Sequence, residues 1–354
     1  MKPVPAMMAP RRQAGLSLME LLIAISIGLF LLVGLVSVFA TSNRAYLELN
    51  RSAVQVENGR FAMQLLSDDV AQAGFYGRSS VQLPVPGVLP DPCDISAAAL
   101  RAAAAFPLQG YNAPGTSPIT ACLPDANHVP GTDILVVRRA ESRIAAGGAP
   151  TIPAGSLNQY DVYLQANADA NNSANPLIAV ATGTPNDVFT IKNKDGANVA
   201  PIRKYRVHIY FVAPCSVPNG GGSVCTGASD DGGNPIPTLK RLELAVSGTT
   251  LGLQVVPLVE GIENFQVDYG IDADLDGTPN GAYVTAPGAV ADWANVVAVR
   301  LSVLARNLEP SPGFTDTKSY DMGVAGMVTP GGEFKRHVYN AIIRIVNPSA
   351  RRES

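Results

Sequence analysis

The chain has 354 residues, 47% hydrophobic and 16% charged, with 33 Gly, 28 Pro and a formal net charge of −3. That length buries a core without staples, and the composition excludes a disordered chain while calling for many turns. Three cations, Lys2, Arg11 and Arg12, lie in the first fifteen residues, so the remainder carries −6 and offers no basic footprint for nucleic acid as a main partner.

From Leu21 to Ala40 the chain runs twenty residues without a charge, the length that crosses ~30 Å of hydrocarbon. Arg11 and Arg12 precede this run, which keeps the N-terminal arm cytoplasmic and exports the rest. The run exceeds the ~7–15 apolar residues of a cleaved secretory signal. A plain signal anchor passes that test, so Glu20, just before the run, has to separate the readings. A carboxylate at the edge of an apolar helix costs up to ~2.5–3.5 kcal/mol if it lies deep. Cleavage between Gly15 and Leu16 creates an amino group four residues from Glu20, on the same helix face. The cut supplies the counter-charge, within the chain or to a neighbour, and in a packed filament that pair sets register.

Gly15-Leu16-Ser17-Leu18-Met19-Glu20 ahead of an apolar run resembles the type III signal of type IV prepilins and pseudopilins. The resemblance implies that a membrane prepilin peptidase cuts after Gly15 and methylates the new amine of Leu16. Where that family begins its mature chain with Phe, this one has Leu. The implied organisation is a leader at 1–15, a pilin helix at 16–74 with its membrane span at 21–40 and an amphipathic stem at 41–74, and a β-rich periplasmic head at 75–354.

Along the stem, Leu49, Ala53, Val56, Met63, Leu66, Val70 and Ala73 recur at helical spacing. They predict a helix to Ala73 that ends at Gly74 and Gly77. A short helix is expected over Ser96–Phe106, stopped by Pro107. Strands are expected at Asp133–Arg138, Tyr160–Gln165, Asp187–Lys192, Tyr205–Val212, Leu239–Val246, Ile262–Tyr269, Val296–Arg306 and Arg336–Val346, with loops at 214–237 and 308–332. Tyr205, Val207, Ile209 and Phe211 alternate with polar residues as in a half-buried antiparallel strand. The fold class is α+β: one long N-terminal helix and a mostly antiparallel β head.

Four cysteines without a C-x-x-C spacing suit disulfides in an oxidising compartment. Proximity along the chain pairs Cys93 with Cys122 and Cys215 with Cys225. Asp272, Asp274 and Asp276, with Gly277, open like a calcium loop, to which Thr278 and Asn280 could add oxygens. Tyr283 stands where an EF-hand has its bidentate Glu, and an acidic β-turn gives the same pattern; a structural calcium is thus one of two readings, and no cofactor is required. His128, His208 and His337 fall singly, without a zinc or nucleophile pattern, and no phosphate loop or nucleophile elbow occurs. No enzyme is expected. Trp293 reads as a core anchor.

The stretch Glu260–Gly270, then Asp272–Gly277, then Trp293–Arg306, is similar to the PilW family of minor pilins. That resemblance implies a subunit present in few copies that helps prime pilus assembly and sits near the filament tip. Its partners would be the prepilin peptidase, other minor pilins, the major pilin and a tip adhesin. It would reside in the inner membrane as a single-pass protein with a periplasmic head, then in the filament at the cell surface. Two alternatives share the leader: a J-type minor pseudopilin of a type II secretion system, and a pilus-tip adhesin that binds ligand through the 214–237 or 308–332 loops.

Overall fold

A computed structural model describes Gly15 and residues 17–77, 83–167, 177–183 and 188–352; residues 1–14 of the expected leader, Leu16 and Asp187 lie outside them. One helix, α1 (Leu18–Ala71), is long and apolar enough to cross a membrane. The chain divides into two compact units at Arg51/Ser52. In the first, apolar side chains from Leu18 to Phe39 all face outward, Phe30 being 83% exposed. Ser26, Ser37 and Thr41 turn their hydroxyls back onto the carbonyls of Leu22, Gly34 and Ser37, which satisfies these three groups in a lipid surround.

The second unit holds the rest of α1, a short helix α2 (Ala97–Ala103) capped by Ser96, and an antiparallel β framework. Its strands are β1 (Leu108–Tyr111), β2 (Ile134–Ala140), β3 (Val162–Ala166), β4 (Ile178–Thr182), β5 (Ile202–Ala213), β6 (Thr238–Ser247), β7 (Thr250–Glu260) and β8 (Ile262–Ile271). A one-turn helix α3 (Val290–Trp293) follows, then β9 (Val296–Arg306), β10 (Tyr320–Asp321), β11 (Met327–Val328), β12 (Arg336–Arg344) and helix α4 (Val346–Arg352).

Strand β5 organises the larger sheet. Its residues 205–210 pair with β2, 202–204 with β3 and 208–213 with β6, while β1 extends β2, β4 extends β3 and β7 extends β6. A second sheet runs β12-β9-β8, also antiparallel. The main core fills the space between α1, this smaller sheet and one face of the larger one, with Leu66, Val70, Val137, Tyr210, Phe265 and Leu301 all closed to solvent. The opposite face of the larger sheet carries its own core with α2 and Tyr76.

The long helix, the β head and the antiparallel pairing agree with the sequence reading, but several details differ. The buried stripe of α1 is Gln55, Gly59, Ala62, Leu66, Asp69 and Val70; of the expected apolar stripe, Leu66, Val70 and Ala73 are buried and Met63 packs on the core, whereas Leu49, Ala53 and Val56 are exposed. Strand β5 is buried on both faces from His208 onward, because Tyr210 and Val212 enter the main core. The expected strand at 187–192 is not formed over its described residues. There Gln165 reaches across to donate to Ile191 O and accept from Ile191 N–H, so a side chain satisfies the backbone that a ladder would have served. Strand β7 escapes the sequence pattern because Gly252 and Pro257 interrupt it; the ladder absorbs Pro257 beside a register shift at Leu239/Lys240. Trp293 is buried edge-on against Tyr269.

Candidate functional site

The N-terminal end of α1 carries a reciprocal cap. Ser17 Oγ accepts the Met19 N–H at 3.3 Å, and the Ser17 N–H reaches Glu20 Oε2 at 3.4 Å. Glu20 therefore serves a free donor of its own first turn. Gly15, on the N-terminal side of the expected scissile bond, is exposed, as a protease substrate requires.

In the second unit, the polar residues of the buried stripe fasten α1 to the sheets. Gln55 Nε2 donates to Ala305 O at 3.0 Å and Asn58 Nδ2 to Glu260 O at 3.1 Å. Asp69 is the centre of the attachment. Its Oδ1 accepts from Arg139 Nε at 2.6 Å, and its Oδ2 meets His208 Nδ1 at 2.6 Å and the Tyr210 hydroxyl at 2.7 Å. Burial works against this charge, but the His208 hydrogen bond and charge, followed by Arg139, hold the carboxyl well below the usual carboxylate range. One turn on, Gly74 at φ 71 ends the helix and donates its N–H to Arg138 O. A Cβ there would meet Pro107 at 2.9 Å, so only glycine allows this close turn. Gly59 has a similar duty: a Cβ would lie 2.1 Å from the Tyr339 ring that packs on the helix.

The acidic turn after β8 brings its five expected residues together. Asp272, Asp274 and Asp276 each place an oxygen within 4.8 Å of the others. Thr278 donates its N–H and hydroxyl to Asp276, and Asn280 Oδ1 accepts from Ala273 N–H. Asp272 is buried and already faces a cation: Oδ2 takes Arg352 at 2.8 Å and Gly277 N–H at 3.0 Å, and Oδ1 takes Asp276 N–H. Burial pushes its carboxyl up, and the Arg352 pairing and backbone donors bring it below the ordinary range. Arg352 also donates to Ala294 O and Asn295 Oδ1, which ties α4 to the loop before β9.

The four cysteines form two disulfides, Cys93–Cys122 and Cys215–Cys225. Two carboxylates hold the loop enclosed by the second to the segment that follows it. Asp230 caps the N–H groups of Asn219, Thr226 and Gly227, and Asp231 those of Ser216, Val217 and Ile236. The three histidines stay apart: His128 bonds Thr132 O, His208 serves Asp69, and His337 lies edge-on to Tyr339.

Sequence reading missed Gln55, Asn58 and Asp69 as attachment points. The available signal was three polar residues, Gln55, Asn58 and Asp69, sharing the helix face opposite the exposed Glu57, Arg60 and Asp68. Arg352, eighty positions from Asp272, left no local signal at all.

Residues 226–347, from before β6 to the start of α4, match the type IV pilus-assembly protein W family, and residues 10–36 match the prokaryotic N-terminal methylation motif. Both are families of structural components. Among solved structures a type IV-like pilin from Thermus thermophilus aligns at 18% identity over 41% of this chain and 79% of its own, with a TM-score of 0.21. Among curated proteins no match is found. A prepilin methylation motif at the N-terminal end and a region similar to the type IV pilus-assembly protein W family across the second half of the head together support a PilW-type minor pilin.

Proposed function

We propose that this chain is made as a prepilin, cut between Gly15 and Leu16, methylated at Leu16, and built into a type IV pilus near its tip, where it helps to prime assembly with other minor pilins. The carrying observation is the first half of α1, whose apolar side chains point outward without packing partners among the described residues. Such a surface needs lipid before assembly and sister helices after it. Once the leader is gone, the Leu16 amine joins Ser17 N–H as a partner for Glu20. The carboxylate then has one cationic group within its own helix turn or on a neighbour, and this supports a register role. In the same reading the head is periplasmic, in keeping with two disulfides, and the Asp69 attachment carries the head on its stem.

Mass spectrometry of the N-terminus from sheared filaments tests this directly. The expected species begins at a methylated Leu16; a filament-borne or membrane-borne chain that still begins at Met1 would refute it. A deletion strain that loses twitching and keeps type II secretion separates the pilus from the secretion-system reading.

A further inference from the structure

A groove with a volume of about 760 Å³ lies within the second unit between α1 and β12. Val56 and Arg60 form the helix wall, Phe314 and Lys318 the loop wall, and His337 and Tyr339 the strand wall. No acidic residue lines it. Arg336 at its base is already neutralised by Glu263 and Asp316. Arg60 and Lys318, both exposed, make no ion pair with any described residue. In a head whose chain is net acidic, this is a local concentration of free positive charge over an aromatic floor.

The strand wall adds a second kind of valence. Strand β12 is the outer strand of its sheet, with β9 on one edge and no strand on the other among the described residues. The Ile345 N–H donates to Val297 O, which fixes the phase of the ladder. Odd-numbered residues 337–343 turn their N–H and C=O groups to β9, and Val338, Asn340 and Ile342 turn theirs away. None of these outward groups bonds another described residue. Between its end arginines the strand also lacks the lysine, proline or bulge that ordinarily protects an open edge, and Ile342 is 67% exposed.

We propose that the edge of β12 and the groove beside it receive one extended acidic segment of a neighbouring polypeptide, which adds a strand to the β12-β9-β8 sheet and sets its carboxylates against Arg60 and Lys318. Main-chain pairing supplies the affinity and the two cations supply the selection, the usual division of labour in strand addition. A saccharide could use the aromatic floor and the cations but would leave the open ladder unused. This inference goes beyond the pilin assignment and does not depend on it.

The test uses the mature full-length chain in detergent micelles and a fluorescent peptide of alternating Glu and Val, read by anisotropy. Binding is expected, with a loss of about tenfold or more for the same peptide N-methylated on alternate residues, for Lys in place of Glu, and for the double variant Arg60→Glu, Lys318→Glu. Asn340→Pro removes one outward donor without touching the β9 ladder and should weaken binding similarly. If that variant misfolds, the N-methylated peptide interrogates the same hydrogen bond from the other side. Equal binding of polyglutamate or of the N-methylated peptide would reduce the site to charge alone and overturn the proposal. Tighter binding of an oligogalacturonate, affinity untouched by the charge reversals, or no binding of the Glu-Val peptide would overturn it as well.

Discussion

Replacing Asp69 with Asn keeps the shape of the side chain and removes the charge on which the stem attachment converges. In the wild type two carboxylate oxygens serve three donors, Arg139 Nε, His208 Nδ1 and the Tyr210 hydroxyl, all within 2.7 Å. An amide has one oxygen to offer and must turn its NH2 toward at least one of those groups. His208 can answer by presenting an unprotonated Nδ1, whereas Arg139 has no acceptor form and stays largely buried without a counter-charge. Breaking one member of a buried pair costs about 3–5 kcal/mol, and the histidine's accommodation sets the expectation at the lower end, about 3 kcal/mol. At about 2–4 °C per kcal/mol for a domain of this class, the melting temperature of the mature protein in detergent should fall by about 10 °C at pH 7, followed by circular dichroism. The pH course supplies a second check. Because folding holds the Asp69 carboxyl below its ordinary value, its contribution is present above the unfolded carboxylate pKa of about 4 and is lost as pH falls further. The gap between wild type and Asp69→Asn should therefore narrow in acid. A loss below about 1 kcal/mol, the size of an exposed ion pair, with a gap that does not vary with pH, would refute the idea of a buried anchor.

Asp133 should act in the opposite sense. Burial, aided by the nearby Asp268 charge, pushes its carboxyl up to about 7 against the pull of the Ala113 and Val267 N–H groups. The native state then binds the proton more tightly than the unfolded chain, so this contribution is full below about pH 4 and disappears as pH rises through about 7; a denaturation midpoint that climbs over that interval would contradict it. Gly59→Ala gains up to about 1 kcal/mol of helix propensity but drives a methyl into the Tyr339 ring. A net loss of about 1–3 kcal/mol is expected from overpacking, recovered in part by adding Tyr339→Leu, and a stabilised single variant would be the contrary result. Glu20→Ala should be processed normally yet be scarce in sheared pili on immunoblots, whereas wild-type abundance there would remove the register role. In the acidic turn, millimolar calcium should raise the melting temperature of Arg352→Gln more than that of the wild type, since the guanidinium now occupies the buried carboxylate; equal shifts would mean that ion and arginine do not compete.

The parts of the fold written in short-range pattern were legible in the sequence. An uncharged run of twenty residues announced α1, and the alternation in Tyr205–Phe211 and Val297–Val303 located β5 and β9. What stayed hidden depends on contacts far apart in the chain. Asp69 looks like a twin of the exposed Asp68 until its partners arrive from positions 139, 208 and 210. The apolar stripe held at Leu66, Val70 and Ala73 but misled at Leu49, Ala53 and Val56, because the inner face of α1 is also lined by Gln55, Gly59 and Asp69, each suited to a hydrogen bond or a close approach and not to hydrophobic burial. Likewise the acidic turn displays its carboxylates locally, while the arginine that faces one of them comes from α4.

A pilus subunit is pulled as well as packed. In the proposed filament, tension on the helix would reach the head through Gln55 and Asn58 as well as Asp69, and Asp69 hands its share to β2 and β5, strands flanked by neighbours on both sides. A strand gripped along both edges cannot be unzipped one bond after another; its ladders must shear together. The contacts between helix and sheet should therefore yield before these ladders do, and the sheet should outlast a peeling of the stem from its surface.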